Sequence, residues 1–103
     1  MKFLRFIMND IDKTADVAQA SDKAWASPPP GVKMLASYAF LGLAFPGQPS
    51  NTLVSIDIVE AESAEAITAV AYPVALTGAT MWHVPVLELP VAATAELEKK
   101  FRG

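Results

Sequence analysis

The chain has no cysteine and only one histidine, His83, and these two shortages exclude a good deal of chemistry. Without thiols there is no disulfide, no thiolate nucleophile and no cysteine-held zinc or iron–sulfur cluster. A single imidazole falls short of the two- and three-ligand nitrogen or sulfur sets that hold catalytic zinc. No metal site and no cofactor are expected. Nor is there an excess of positive charge. Eight lysines and arginines face eleven acidic residues, for a net charge of −3. These charges are spread along the chain, with no basic stripe to neutralise phosphates or anionic lipid, so neither nucleic acid nor a membrane surface is an expected partner.

Glycine is sparse as well, with five residues. Gly42 and Gly47 sit in a turn-rich stretch rather than between a strand and a helix start, so no phosphate-cradling loop is present. No Gly-x-Ser-x-Gly turn marks a serine nucleophile. The one long apolar run, Val32 to Phe45, is shorter than the ~20 residues of a spanning helix. It also carries Lys33 and Ser37, and reads as a buried strand. At the start, the run after Lys2 is broken by Arg5 and stops at Asn9-Asp10, unlike the uninterrupted core of a secretion signal. A cytoplasmic location is the expectation.

What is present is a foldable chain. Apolar residues make up 52% and charged residues 18% of the 103 positions, a balance suited to one domain over residues 1–103. Lys2 to Met8 reads as a strand with faces Leu4/Phe6/Met8 and Phe3/Arg5/Ile7. Asp10 and Asp12 offer N-caps to a helix with the stripe Ile11, Ala15, Ala18 and Trp25, which must end by Ser27, before Pro28-Pro29-Pro30. A long second strand opens at Gly31 and runs ten residues or more, toward a bend or bulge at Gly42. Phe45 to Asn51 is dense in turn formers and is the expected mobile loop, at the mouth of any pocket.

Leu53 to Val59 forms a third strand, with Val54/Ile56/Ile58 on its apolar face. Ser63 caps a second helix whose inward stripe is Ile67, Val70, Ala71 and Val74. Pro73 is expected to end or kink that helix near Ala71-Tyr72, and Gly78 to close the turn that follows. Met81 to Leu89 is the last strand, where Pro85 implies an edge position or a bulge. Ala93, Leu97 and Phe101 then share one face of a short C-terminal helix, with Glu96 and Lys100 as an i,i+4 pair, expected to pack on the body or on a partner.

Strand, helix, strand, strand, helix, strand with short connections gives an α+β, ferredoxin-like βαββαβ fold. Its four-stranded antiparallel sheet carries both helices on one face, with the first and third strands central. The first, second and fourth strands are apolar on both sides, so the face away from the helices also needs cover. A second copy supplies it by two-fold symmetry, and a homodimer with facing sheets is predicted.

The segments PPPGVKMLASY, SIDIVEAESAEAI and MWHVPVLEL resemble, in order and spacing, an uncharacterised bacterial and archaeal domain family within the dimeric α+β barrel superfamily, over nearly the whole chain. The layout is more distantly similar to muconolactone isomerases and to small cofactor-free quinol monooxygenases. The resemblance implies a dimeric barrel with a pocket between sheet and helices. No motif transfers catalytic residues one by one.

If Leu4/Phe6/Met8, Val54/Ile56/Ile58 and Trp82/Val84/Val86 face the helices, then Arg5, Ser55, Asp57 and His83 converge on the opposite side, in the dimer interior. Two readings of that cluster follow. In one, His83 is a general acid/base, Asp57 orients it or takes a proton, and Arg5 binds a carboxylate or enolate. In the other, the three are a buried ion pair and a hydrogen-bonded histidine that fix dimer register. Tyr38 or Ser37, on opposite faces of the second strand, supplies an inward donor. Trp25, Trp82, Phe40, Phe45 and Tyr72 are candidates to wall an aromatic pocket.

Two functions remain open on the sequence. One is a cofactor-independent, isomerase-like or monooxygenase-like enzyme on a small cyclic or aromatic organic acid. The other is a non-catalytic homodimer that binds a small apolar or aromatic ligand or serves in assembly. Ligand contacts are expected from Tyr38, Trp82, Trp25 and Ser55, and catalytic ones from His83, Asp57 and Arg5.

Overall fold

The computed structural model describes residues 1–103. Strand β1 (Lys2–Asp10) leads through a 3-10 turn over Ile11–Lys13 into helix α1 (Thr14–Ala26). Then come β2 (Val32–Ala39), β3 (Thr52–Ala61), α2 (Ala64–Ala75), β4 (Thr80–Val86) and α3 (Thr94–Arg102). The strands form one antiparallel sheet in the order β2-β3-β1-β4. This is the ferredoxin-like arrangement expected from the element order, with β1 and β3 at the centre.

The interior lies between one face of the sheet and helices α1 and α2. Val32, Val59, Ala61, Ile67 and Val70 form one cluster, with Phe3 and Trp25 against it, and Ile7, Val17 and Val74 form a second, with Met81 alongside. Phe3, Ile7, Val59 and Met81 share the phase of Arg5, Asp57 and His83 in the strand register. The helix-facing side of the sheet is therefore the one that carries the polar groups. The expected assignment is reversed: Leu4, Phe6, Met8, Ile56, Ile58, Trp82 and Val84 occupy the open face. Hydrophobicity favours burying the Leu4/Phe6/Met8 side of β1, since the other side carries Arg5, and the fold overrides that preference.

Helix α2 is built as its sequence indicates. The hydroxyl of Ser63 accepts the Ala66 N–H at 3.1 Å, and Ile67, Val70, Ala71 and Val74 are its buried residues. Pro73 does not end it. The helix runs on to Ala75 with the proline inside its last turn, where the ring fits the helical φ and the missing N–H removes a single bond. Gly78, at φ +94°, then closes the end and donates to the Ala75 carbonyl.

Helix α1 turns only part of the expected stripe inward. Trp25 packs against the core and Val17, outside that stripe, is buried, while Ile11, Ala15 and Ala18 are exposed. A valine and a tryptophan have more surface to bury than alanines do. Neither Asp10 nor Asp12 caps α1 through its side chain: the N-cap residue is Lys13, without a side-chain bond.

Strand β2 stops at Ala39, so Gly42 (φ +116°) bends the chain outside the sheet. The apolar stretch after it is not buried in the single chain, with Leu41 and Leu43 exposed. Gln48 braces the loop that follows. Its Oε1 accepts the Ala44 N–H at 2.7 Å, and its Nε2 donates to the carbonyl and hydroxyl of Thr52.

Strand β4 ends at Val86, short of Leu89, and lies at the sheet edge, where Pro85 sits opposite Phe3 without a register shift. Helix α3 buries none of its residues. Its ion pairs are Glu98 with Arg102 and Glu96 with Lys99, in place of the expected pairing of Glu96 with Lys100. No helix is long and apolar enough to cross a membrane.

Candidate functional site

Arg5 lies at the centre of the sheet, directly between Asp57 on β3 and His83 on β4. Side chains directly opposite across antiparallel strands have Cβ atoms about 5 Å apart, so this register alone brings the three together. The predicted convergence of Arg5, Asp57 and His83 is present, but under the helices and not on the face available to a second copy.

Its fourth member arrives through a bulge. Strand β2 pairs in register up to Met34 opposite Val59, then resumes with Ala36 opposite Ile58, leaving Leu35 as the extra residue. One inserted residue exchanges the faces of everything beyond it. Without it Ser37 would point away from the helices. With it, Ser37 sits opposite Asp57 and donates its hydroxyl proton to Oδ1 at 2.6 Å. Tyr38 is thereby sent to the open face, where it is largely exposed.

Arg5 is completely buried and Asp57 is 3% exposed. The Arg5 Nε lies 3.5 Å from Asp57 Oδ2, and the guanidinium carbon is 5.8 Å from the centre of the Trp25 ring on α1. The pair is an ion contact rather than a hydrogen bond: Nε, Nη1 and Nη2 of Arg5 have no protein acceptor, nor does the buried Nε2 of His83 have a partner. Burial pushes the Arg5 pKa down, and the neighbouring Asp57 carboxylate pushes back. Burial also lowers the His83 pKa from its ordinary 6.5. The adjacent Arg5 charge lowers it further, against an opposing pull from Asp57. The neutral imidazole of His83 is thereby favoured over the charged form.

That depression has a measurable consequence. The folded chain holds the His83 proton less tightly than the unfolded chain, so the unfolded state gains more protons as the pH falls through 6.5. The stability contributed by neutral His83 is complete above that pH and is lost on acidification toward the lowered folded value. The midpoint of thermal unfolding should drop between pH 7.5 and pH 5.5, and His83→Gln should flatten the part of that drop due to the imidazole. An unchanged slope in the variant would show that His83 titrates normally.

Beside the charged pair, a cleft of about 140 Å³ opens between α1 and the β2/β3 side of the sheet. Its polar lining is Asn9, Thr14, Ser21, Ser37, Ser55 and Asp57, with Ile7, Val17, Ala18 and Leu53 as the apolar wall. Ser55 and Asp57 line it from the helix side of the sheet, not from the face expected of them. Asn9, Thr14 and Ser21 were missed: each is an unremarkable polar residue in the sequence, and only the docking of α1 over β1 gathers them. Arg5, His83 and Trp25 do not line it. Nor does any residue of the Pro46–Asn51 loop, which was expected at the pocket mouth.

The proposed aromatic wall is divided. Trp25 covers Arg5 on the helix side, while Trp82 stacks on Phe6 on the open face, with ring centres 5.0 Å apart. Tyr72 is exposed. Trp25, Trp82 and Tyr38 thus share no pocket, and no group of three or more His, Cys, Asp or Glu side chains is placed to hold a metal ion.

No family model matches the chain, and no curated protein is detectably similar to it. Among solved structures, a candidate glycine cleavage system transcriptional repressor superposes with TM-score 0.47 at 10% identity, over 87% of this chain and 49% of that one. The chain thus spans about half the length of that protein. A DUF3240 family protein from Shewanella baltica OS155 superposes with TM-score 0.43 at 13% identity, over 87% of this chain and 94% of that one. Likenesses at this level carry no argument about family or activity.

Proposed function

We propose that this protein is a homodimeric small-molecule-binding module that acts by binding rather than by turnover. The observation that carries the reading is the helix-side cleft, which is walled by two elements and floored by the buried Asp57. Burying a carboxylate beside an arginine costs several kcal/mol per ion before their attraction is counted. Polar side chains gathered around a cleft at such a place are more than packing requires.

Binding is favoured over catalysis by placement. Of His83, Asp57 and Arg5, only Asp57 lines the cleft. The Arg5 guanidinium lies between Asp57 and Trp25, away from where an acid substrate would need it. His83 does not reach the cleft, and Asp57, which does, is already engaged by Arg5 and by the Ser37 hydroxyl, so isomerase-like or monooxygenase-like chemistry would lack the histidine and a free carboxylate at the ligand.

The dimer is supported by the open face. Four strands at about 4.8 Å spacing and about seven residues of 3.3 Å rise present roughly 19 × 23 Å of sheet. That face carries Leu4, Phe6, Met8, Ile56, Ile58, Trp82 and Val84 in adjoining rows. Together with the exposed leucines beside it, it exceeds the few hundred Å² that monomers usually leave apolar. Its charges are confined to the two end rows, Lys33, Glu60 and Lys2 at one end and Asp10 at the other, and both signs occur, as a self-complementary two-fold contact needs.

A fragment collection of small acids, amines and alcohols, screened by amide chemical shifts, tests the binding function. Hits should perturb Ser21, Ser37 and Ser55 together. A screen in which no class of compound perturbs these three would overturn it.

A further inference from the structure

We infer that the cleft beneath α1 takes a small uncharged ligand bearing several hydroxyl groups, about the size of a three- or four-carbon polyol. The inference rests on the binding reading above and names its ligand class. It follows from counting which hydrogen-bonding capacity the cleft side chains retain.

Asn9 spends its amide protons on the Asp10 carbonyl at 2.8 Å and the Thr14 hydroxyl at 3.1 Å, so its free group is the carbonyl oxygen, an acceptor. Thr14 receives that bond and keeps its own proton to donate. Ser37 gives its proton to Asp57 at 2.6 Å, leaving its oxygen as an acceptor. The Asp57 carboxylate beside Arg5 offers acceptor oxygens. Ser21 and Ser55 do both. The lining therefore presents mostly acceptors, with a few hydroxyl donors among them. A hydroxyl-bearing ligand satisfies this pattern because each of its groups donates and accepts. A carboxylate, which accepts only, would face acceptors unpaired.

Net charge points the same way. The Asp57 carboxylate is already offset by Arg5 Nε at 3.5 Å on its second oxygen, so the cleft has no uncompensated charge with which to recruit an ammonium ion. Size is in keeping with this. The cleft is small, at about 140 Å³, and open on one side, a scale suited to a short polyol. Ile7, Val17, Ala18 and Leu53 supply the apolar wall for the carbon chain.

The test is a titration of isotopically labelled protein with glycerol, erythritol, propionate and propylammonium, reading the amides of Ser21, Ser37 and Ser55. The polyols should give saturable shifts, and Ala18→Leu, which fills the cleft from the α1 side, should weaken them about tenfold or more. Circular dichroism establishes that this variant is folded, and Ser55→Ala serves in its place if it is not. Saturation by propionate or propylammonium with no response to the polyols would overturn the ligand class and leave the binding function standing. Polyol shifts that persist undiminished in the folded Ala18→Leu protein are a solvent effect and also overturn the class. Silence from every probe, in a protein that answers some other fragment at these amides, rejects the class alone, whereas silence toward the whole collection removes both.

Discussion

Replacing Arg5 by methionine should lower the unfolding free energy by about 3–5 kcal/mol, because it leaves the Asp57 carboxylate buried without its counter-charge. Arg5 is completely enclosed and Asp57 is only 3% exposed, so water entering by the cleft replaces little of the missing guanidinium's charge. The Ser37 hydroxyl remains as a donor to Oδ1 but carries no charge. Urea unfolding followed by fluorescence measures the change. The informative comparison is the double variant Arg5→Met, Asp57→Leu. Removing both charges and filling the space with apolar groups is often neutral or stabilising, so the double variant should recover most of the loss. Losses that simply add would mean that the two residues act independently and that the 3.5 Å contact does not couple them.

The second large effect concerns association. Tyr38 and Val84 lie on the open face and are 60% and 42% exposed in the single chain, so a glutamate at either site is solvated in the monomer and costs it little. In a dimer with facing sheets the two-fold axis doubles each new charge and buries it opposite apolar surface. Tyr38→Glu combined with Val84→Glu should weaken association by about a hundredfold or more, equivalent to roughly 2.7 kcal/mol. Sedimentation velocity should then change from about twice 11.0 kDa to the monomer mass, with the melting profile of the isolated chain preserved. A parent protein that sediments as a stable monomer at micromolar concentration would sink the dimer altogether.

Much of the architecture is determined by local sequence. The triple proline after Ser27, the Ser63 cap and the apolar stripe Ile67, Val70, Ala71, Val74 each act within a few residues, through fixed φ, a satisfied N–H and helical periodicity. Together they yield the element order, and short right-handed connections then leave one strand order. The alternation of strands puts Arg5, Asp57 and His83 on one face, and the folded chain supplies the register that sets them side by side.

Which way that row faces is a different matter. Leu4/Phe6/Met8 is the more hydrophobic side of β1, and residue-by-residue hydrophobicity assigns it to the helices. Tertiary structure reverses this, because the polar side is not left bare there: Arg5 is matched by Asp57, Asp57 by Ser37, and the guanidinium by the Trp25 ring. Groups that compensate one another can be enclosed together although none could be enclosed alone. The Leu35 bulge belongs to the same decision. No residue in KMLAS announces it, since an extra residue in a strand is chosen by what its partner strand gains from the new phase, here a hydroxyl for Asp57 in exchange for an exposed Tyr38. The sequence by itself thus determined the elements, their order and their pairing, which depend on near neighbours. The face each pair presents, and the cleft that Asn9, Thr14 and Ser21 share with Asp57, depended on compensation between residues as far apart as Arg5 and Asp57, 52 positions along the chain, which only the folded chain brings within reach.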